Sequence, residues 1–357
     1  MTIKDISWLR LANQHILNGS FNEPKDLAAW MGAMQAQDYQ MVKWGIGLRL
    51  PGADIEKVEK AIEKGEIIRS HLLRPTWHFV SSDDFRWLLE LTSPRIKPSL
   101  KRRQNFLGLT PAMLSDSNDI IAEFLKGKDA GREIIGSELQ KGGINTGDNR
   151  LWHIMLWAEL NGIVCSGKSP DDKHTYALLK ERIPQKKKIE KEEALGLLAV
   201  KYFRSHGPAT IRDFSWWSGL TSGEIKISLE RAESELENEI VDGITYWFGR
   251  NHVIRPDENS ACLLPAFDEF IISYSDRSAV LSVDNHKKAV SQNGVFRSTV
   301  VIKNHVAGLW KPVKNKDGII LVLSLFKKAK RSEKSALEDA AEAYGKFLGK
   351  KIEVMYT

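Results

Sequence analysis

"GPATIRDFSWWSGLTSGEIKISLERAESELENEIVDGITYWFG" occupies residues 207–249, and its punctuation decides the fold. The stretch before it predicts a helix from about Glu192 to His206, with Leu195, Leu198, Ala199 and Tyr202 on one side and Gly207-Pro208 as the stop. Thr210, with Asp213 three residues on, is a shortened capping box that starts a second helix ending at Gly219. Thr221-x-x-Glu224 is a full capping box for a third, whose Ile225, Leu229, Ala232 and Leu236 keep helical spacing. Asp242-Gly243 between two β-rich runs signals a hairpin. Helix, short helix, helix, hairpin is the order of a winged helix-turn-helix.

The same order is readable twice upstream. In the middle of the chain, 116–126, 132–141 and 148–161 are candidate helices, the last stopping at Gly162 before the strand-like "IVCSG". Near the N-terminus, 6–17 and 24–34 are helical, "VKWGIGLRL" and "DIEKVEKAIEKG" continue the unit, and "IIRSHLLRPTWHFV" is rich enough in β-formers to be a wing. Residue identity between the units is negligible, so architecture repeats without sequence. After Pro265, "VFRSTVVIKNHVAGLW" and "GIILVLSLF" read as paired strands with a turn near Asn304-His305, and "SEKSALEDAAEAYGKFLGKK" as a closing helix. The expected fold is α+β and helix-rich: winged-helix units at 1–95, 96–185 and 186–260, and a β-rich module of its own at 261–357.

With 357 residues, 42% hydrophobic and 27% charged, the composition is that of an ordinary soluble protein with room for several domains. The apolar runs are too short to cross a bilayer, and charges at Lys4, Asp5 and Arg10 argue against a signal peptide. Cys165 and Cys262 stand far apart without metal-ligand spacing, so no zinc site or disulfide framework is expected and a cytoplasmic location fits. A net charge of +6 is compatible with a polyanion partner without being diagnostic. Basic clusters at 101–104, 186–191 and 327–334 read equally well as solvated linkers and helix ends.

No P-loop, dinucleotide fingerprint, GxSxG or HExxH occurs, so any chemistry must use simpler parts. "MGAMQAQDYQ" (31–40) supplies a candidate. Leu27, Trp30, Met31 and Met34 form one helical face, and a continuing helix would put Gln37 on it with Gln35 about 200° away. If the chain opens at Ala36, alternation turns both amides toward one small target. A carboxamide is no strong base, but it can accept from and donate to one water and so aim its lone pair. That suffices when the leaving group is already activated, as in a purine alkylated at N7 or N3, whose positive charge weakens its bond to deoxyribose. Asp38 could add a negative field, its side chain pointing away in an extended segment. The plainer account is a polar cap closing a helix end.

Gln35-Ala36-Gln37 after an apolar helix, "LLRPTWHFVSSDDFRWLLELTSPR" (72–95), "GPATIRDFSWWSGL" (207–220) and "LLPAFDEFIISYSDRS" (263–278) together resemble the AlkZ-like family of winged-helix DNA glycosylases. The resemblance spans nearly the whole chain. It implies tandem winged helices in a C-shaped arrangement, no metal or other cofactor, and hydrolysis of the N-glycosidic bond of N7-alkylguanine or N3-alkyladenine in damaged double-stranded DNA. Some members unhook interstrand crosslinks. The family's catalytic signature, glutamine, an apolar residue and glutamine, falls on Gln35, Ala36 and Gln37, which places the chain in the Gln-x-Gln branch. A bacterial nucleoid-associated enzyme with no obligatory protein partner is implied.

Arg74 and His78, on the expected first wing, are candidate phosphate or lesion contacts, grouped with Lys43, Trp44, Arg69 and Arg277. Their structural reading is Arg74 paired with Asp83 or Asp84, and His78 as a satisfied sheet histidine. Asp268 and Glu269 are expected to be salt-bridge partners that orient arginines, with Arg277 structural beside them. Trp77, Trp216 and Trp217 are expected in the core, an exposed one being able to stack on a base. The alternative function is a non-catalytic DNA-binding protein or transcriptional regulator; a protein-interaction scaffold has little support.

Overall fold

The computed structural model describes residues 1–17, 19–168, 173–184, 188–250, 257, 259–316 and 318–357. Of the basic cluster at 186–191, Lys186 and Lys187 lie outside the described residues. The chain divides into two compact units, Met1–Glu59 with Leu195–Thr357, and Lys60–Ala194. This division is coarser than the four segments read from the sequence, and its cuts fall elsewhere.

In the discontinuous unit, the deciding stretch folds as its punctuation dictates. The helix Lys191–His206 is followed by Ile211–Ser218, started by the reciprocal capping box of Thr210 and Asp213 and closed by Gly219 in the left-handed conformation. Thr221 and Glu224 cap Ser222–Ala232 in the same way. Strands Leu236–Val241 and Ile244–Gly249 then pair antiparallel across Asp242 and Gly243. Both turn residues have positive φ, 50° and 78°, the backbone of a two-residue hairpin turn matched to strand twist.

At the N-terminus of this unit, Thr2 and Asp5 cap the helix Ile3–Asn13. Helix Pro24–Met31 ends at Gly32, whose φ of 74° is open to glycine and costly for residues with a Cβ. The expected helix 24–34 is therefore three residues shorter, and the chain is extended at Met34–Gln35. Asp38 accepts the Met41 N–H at 3.0 Å and starts the next helix, Tyr39–Gly47.

The C-terminal part builds a five-stranded sheet in the order Ile352–Tyr356, Gly318–Leu325, His305–Asn315, Thr299–Ile302, Ala261–Leu264. Only the first pair is parallel, with Ile319 opposite Ile352. Helix Arg331–Leu348 packs Tyr344 and Phe347 against Trp44, at ring separations of 5.0 and 5.4 Å. Ile6, Trp8 and Leu11 share one buried cluster with Leu264, Phe270 and Val301. The segment read as a module of its own thus shares its core with the N-terminal helix.

In the unit Lys60–Ala194, strands Ile67–Leu72 and Thr76–Ser81 form the expected hairpin, with His71 opposite Trp77. The helix Phe85–Phe106 runs unbroken through Pro94 and Pro98 and across position 95, where the sequence suggested a boundary. Helices Pro111–Phe124, Arg132–Lys141 and Arg150–Leu160 follow, with a small sheet in the order Ala130–Gly131, Thr175–Leu178, Val164–Ser166. Leu114, Ile121, Ile135, Leu139, Ile154 and Met155 fill the core between them.

Candidate active site

The two glutamines differ in access to solvent. Gln35 is 8% exposed and Ala36 fully buried, while Gln37 is exposed. The extended run on which a shared direction of the two amides depended is short. The strand ends at Gln35 and the chain bends at Gln37 and Asp38, because Asp38 is already the cap of the following helix. Its carboxylate is spent on the Met41 N–H.

Behind the segment lies a buried carboxylate. The backbone N–H of Gln35 donates to Glu269 Oε1 at 2.5 Å. Oε2 of Glu269 accepts the Trp217 indole N–H at 3.2 Å and the Ser273 hydroxyl, and His206 Nε2 stands 3.5 Å away. Burial alone would push this carboxyl up, but the imidazole of His206, the Ser273 hydroxyl and the Gln35 N–H outweigh it and hold the group at about 2. The buried charge is compensated by three hydrogen-bond donors, from Gln35, Trp217 and Ser273, with the His206 ring beside them.

The expectation that Asp268 and Glu269 both orient arginines holds for one of them. Asp268 takes the Arg49 guanidinium at two points. Glu269 instead meets a backbone N–H, an indole, a hydroxyl and an imidazole. Polar contacts continue below: Gln14 donates to the Tyr274 hydroxyl at 2.9 Å, and that hydroxyl donates to the His206 carbonyl at 2.7 Å. The Arg10 guanidinium lies 3.7 Å from the Tyr274 ring centre. Tyr202 stacks on His206 with ring centres 5.0 Å apart. The sequence reading did not assign these residues as partners of Glu269; its signal was the acidic pair inside "FDEF".

Of the other candidates in this unit, Lys43 is fully buried and pairs with Glu59 at 2.7 Å. Trp44 is buried and donates its indole N–H to the Leu263 carbonyl at 2.7 Å. Arg277 is half-buried and donates to the Ile271 carbonyl at 2.9 Å, its guanidinium 5.0 Å from the Phe296 ring centre and 5.5 Å from that of Trp216. Trp217 is in the core as expected, whereas Trp216 is 43% exposed.

Arg69, Arg74 and His78 belong to the other unit. Arg69 is buried, with its guanidinium 4.3 Å from the Trp77 ring centre. His78 is buried in its strand, Nδ1 2.9 Å from the Thr76 carbonyl. Arg74 is half-buried in the turn between the strands. Nearby, and unread in the sequence, Glu159 accepts from the Ser70 hydroxyl at 2.8 Å, the His71 N–H at 3.0 Å and His71 Nδ1 at 2.9 Å. Burial opposes ionisation of Glu159, and the contacts with His71 and Ser70 more than offset it, lowering its pKa. No described helix is long and apolar enough to cross a membrane.

Comparison with known proteins places the fold. Residues 28–347 match the family described as DNA glycosylase AlkZ-like. The interstrand DNA cross-link repair glycosylase of Streptomyces sahachiroi is 23% identical over 338 residues, covering 88% of each chain. The solved structure of Streptomyces sahachiroi DNA glycosylase AlkZ shares the fold with a TM-score of 0.83 at 19% identity, over 100% of both chains. With nine-tenths of its length inside the matched region, the chain belongs to the AlkZ-like family of DNA glycosylases.

Proposed function

We propose that this glycosylase is monofunctional and hydrolyses the N-glycosidic bond of cationic alkylated purines, N7-alkylguanine and N3-alkyladenine, in double-stranded DNA, with water aimed by Gln35 and Gln37. The relative named for interstrand cross-link repair extends the proposal to unhooking of crosslinked purines. The observation that carries the reading is an exposed Gln37 amide two residues beyond a backbone N–H anchored on a buried carboxylate. A side chain so placed is open to solvent and substrate while its main chain is held.

The chemistry asks little more. As the bond between C1′ and the purine lengthens, its electron pair neutralises the cationic base, which leaves uncharged. The sugar becomes oxocarbenium-like, and a water adds its oxygen to C1′ and releases a proton to solvent. A neutral amide orients that water without placing a second carboxylate at the reacting centre, and orientation is the part of the barrier a protein can remove here.

The test is release of 7-methylguanine from a methylated duplex, leaving abasic sites. Gln37→Ala should lower the single-turnover rate by about 100-fold or more while duplex affinity is retained. Wild-type protein that binds the duplex and releases no base would refute the reading.

A further inference from the structure

We propose that Glu269 is a positioning residue for the Gln-x-Gln segment: its buried carboxylate, braced by Trp217, Ser273 and His206, holds the Gln35 N–H and so fixes the backbone from which the Gln37 amide reaches solvent. As a role in catalysis this rests on the glycosylase reading above; as a statement about the segment it does not.

The segment runs between two helices. Gly32 breaks the preceding helix, and Asp38 begins the next. Between them only Met34–Gln35 is strand, a two-residue run. Ala33, Met34, Ala36 and the Gln35 side chain are all buried, so the contacts that hold this run are made inside the protein, and the Glu269 carboxylate is one of them. A carboxylate accepting a backbone N–H, as Glu269 accepts that of Gln35, is a charge-assisted bond, about twice as strong as a neutral one.

The carboxylate is itself immobilised. Ser273 lies one helical turn beyond Glu269, at the end of the short helix Glu269–Ile272, and returns its hydroxyl to Oε2. Trp217 comes from the helix Ile211–Ser218, and His206 from the end of Lys191–His206. Asp268 ties the start of the Glu269–Ile272 helix to Arg49 by two bonds of 2.9 Å. The clamp therefore refers the glutamine segment to three helices. Glu269 touches no reacting atom in this account; it acts through the main chain of Gln35.

Three measurements on Glu269→Gln test this: base release under single-turnover conditions, affinity for undamaged duplex, and hydrogen exchange of the Gln35 amide. Glutamine keeps the shape and loses the charge. Its amide nitrogen can no longer accept from one of the original donors. The expected result is Gln35 exchange at least about tenfold faster than wild type, a release rate reduced at least about tenfold, and duplex affinity within about twofold, since loss of alignment acts on the reaction and not on binding. Unchanged exchange overturns the proposal whatever the activity. Faster exchange with an undiminished rate in an active enzyme overturns the catalytic part. If wild type releases no base, the glycosylase reading fails, and exchange alone decides whether Glu269 holds the segment. Should Glu269→Gln not fold, Ser273→Ala, which removes one brace, is read by the same three measurements.

Discussion

Arg49 and Asp268 close a two-point ion pair, Nη1 to Oδ2 and Nη2 to Oδ1 both at 2.9 Å, with side chains 0% and 2% exposed. Arg49 also donates to the Gln14 and Gly45 carbonyls, each at 2.9 Å, so its charge is fully used. Breaking a buried pair from one side strands the other charge, at a cost of about 3–5 kcal/mol. Arg49→Met and Asp268→Leu should each destabilise the protein by that order in urea unfolding. The double substitution should recover much of the loss. Strictly additive losses would show that the two side chains do not act as a pair.

The glutamines should separate by stability. Gln37 is exposed, so Gln37→Ala should leave the urea midpoint within about 0.5 kcal/mol of wild type. Gln35 is buried, and Gln35→Ala should cost about 1–3 kcal/mol. Equal losses at both positions would contradict the difference in exposure.

Acid should unfold the protein partly through its buried carboxylates. Glu269 is held at about 2 against the ordinary 4.5, and Glu159 is shifted in the same direction. A carboxyl whose folded pKa is depressed contributes fully above its unfolded pKa, and that contribution disappears as the pH falls through the folded value. Stability measured by urea should therefore decline from about pH 4.5 toward pH 2, and Glu269→Gln should flatten the decline. A mutant curve parallel to wild type would mean that Glu269 does not contribute.

Both thiols should be silent in the native state. Cys165 and Cys262 are buried, and desolvation pushes each up to about 12, far above the range in which a thiolate forms at neutral pH. Ellman's reagent should find no reactive thiol before denaturation and both after it. Rapid reaction of the folded protein would contradict the burial.

What the sequence disclosed was local punctuation. Thr210, Thr221, Gly219 and Asp242-Gly243 each act through neighbours within a few residues, and each is found in its expected role. The unit boundary drawn at 95 falls inside the helix Phe85–Phe106, which accommodates Pro94 and Pro98 while burying Trp87, Leu88, Leu91, Ile96 and Leu100.

The strand Ile352–Tyr356 escaped notice because its pairing is parallel, to a strand separated from it by a whole helix. The candidate site divides in the same manner. Gln35 and Gln37 were legible as a candidate pair through the family resemblance, spacing alone favouring a polar helix cap. That one is buried and the other open depends on Asp38 having been recruited by the next helix. The partnership of Glu269 with a main-chain N–H leaves no trace in residue types, since any residue but proline could offer that donor.

The unit that carries the glutamines is written in two pieces, with Lys60–Ala194 inserted between them. Gln35 and its anchor are 234 positions apart, so a ribosome adding about 5–20 residues per second needs on the order of ten seconds or longer to emit the second after the first. During that interval the nascent N-terminal piece lacks its five-stranded sheet, and the inserted segment is completed before the second piece begins. Completion of the discontinuous unit thus waits on the last third of the chain, and fragments released early lack the carboxylate that meets the Gln35 N–H.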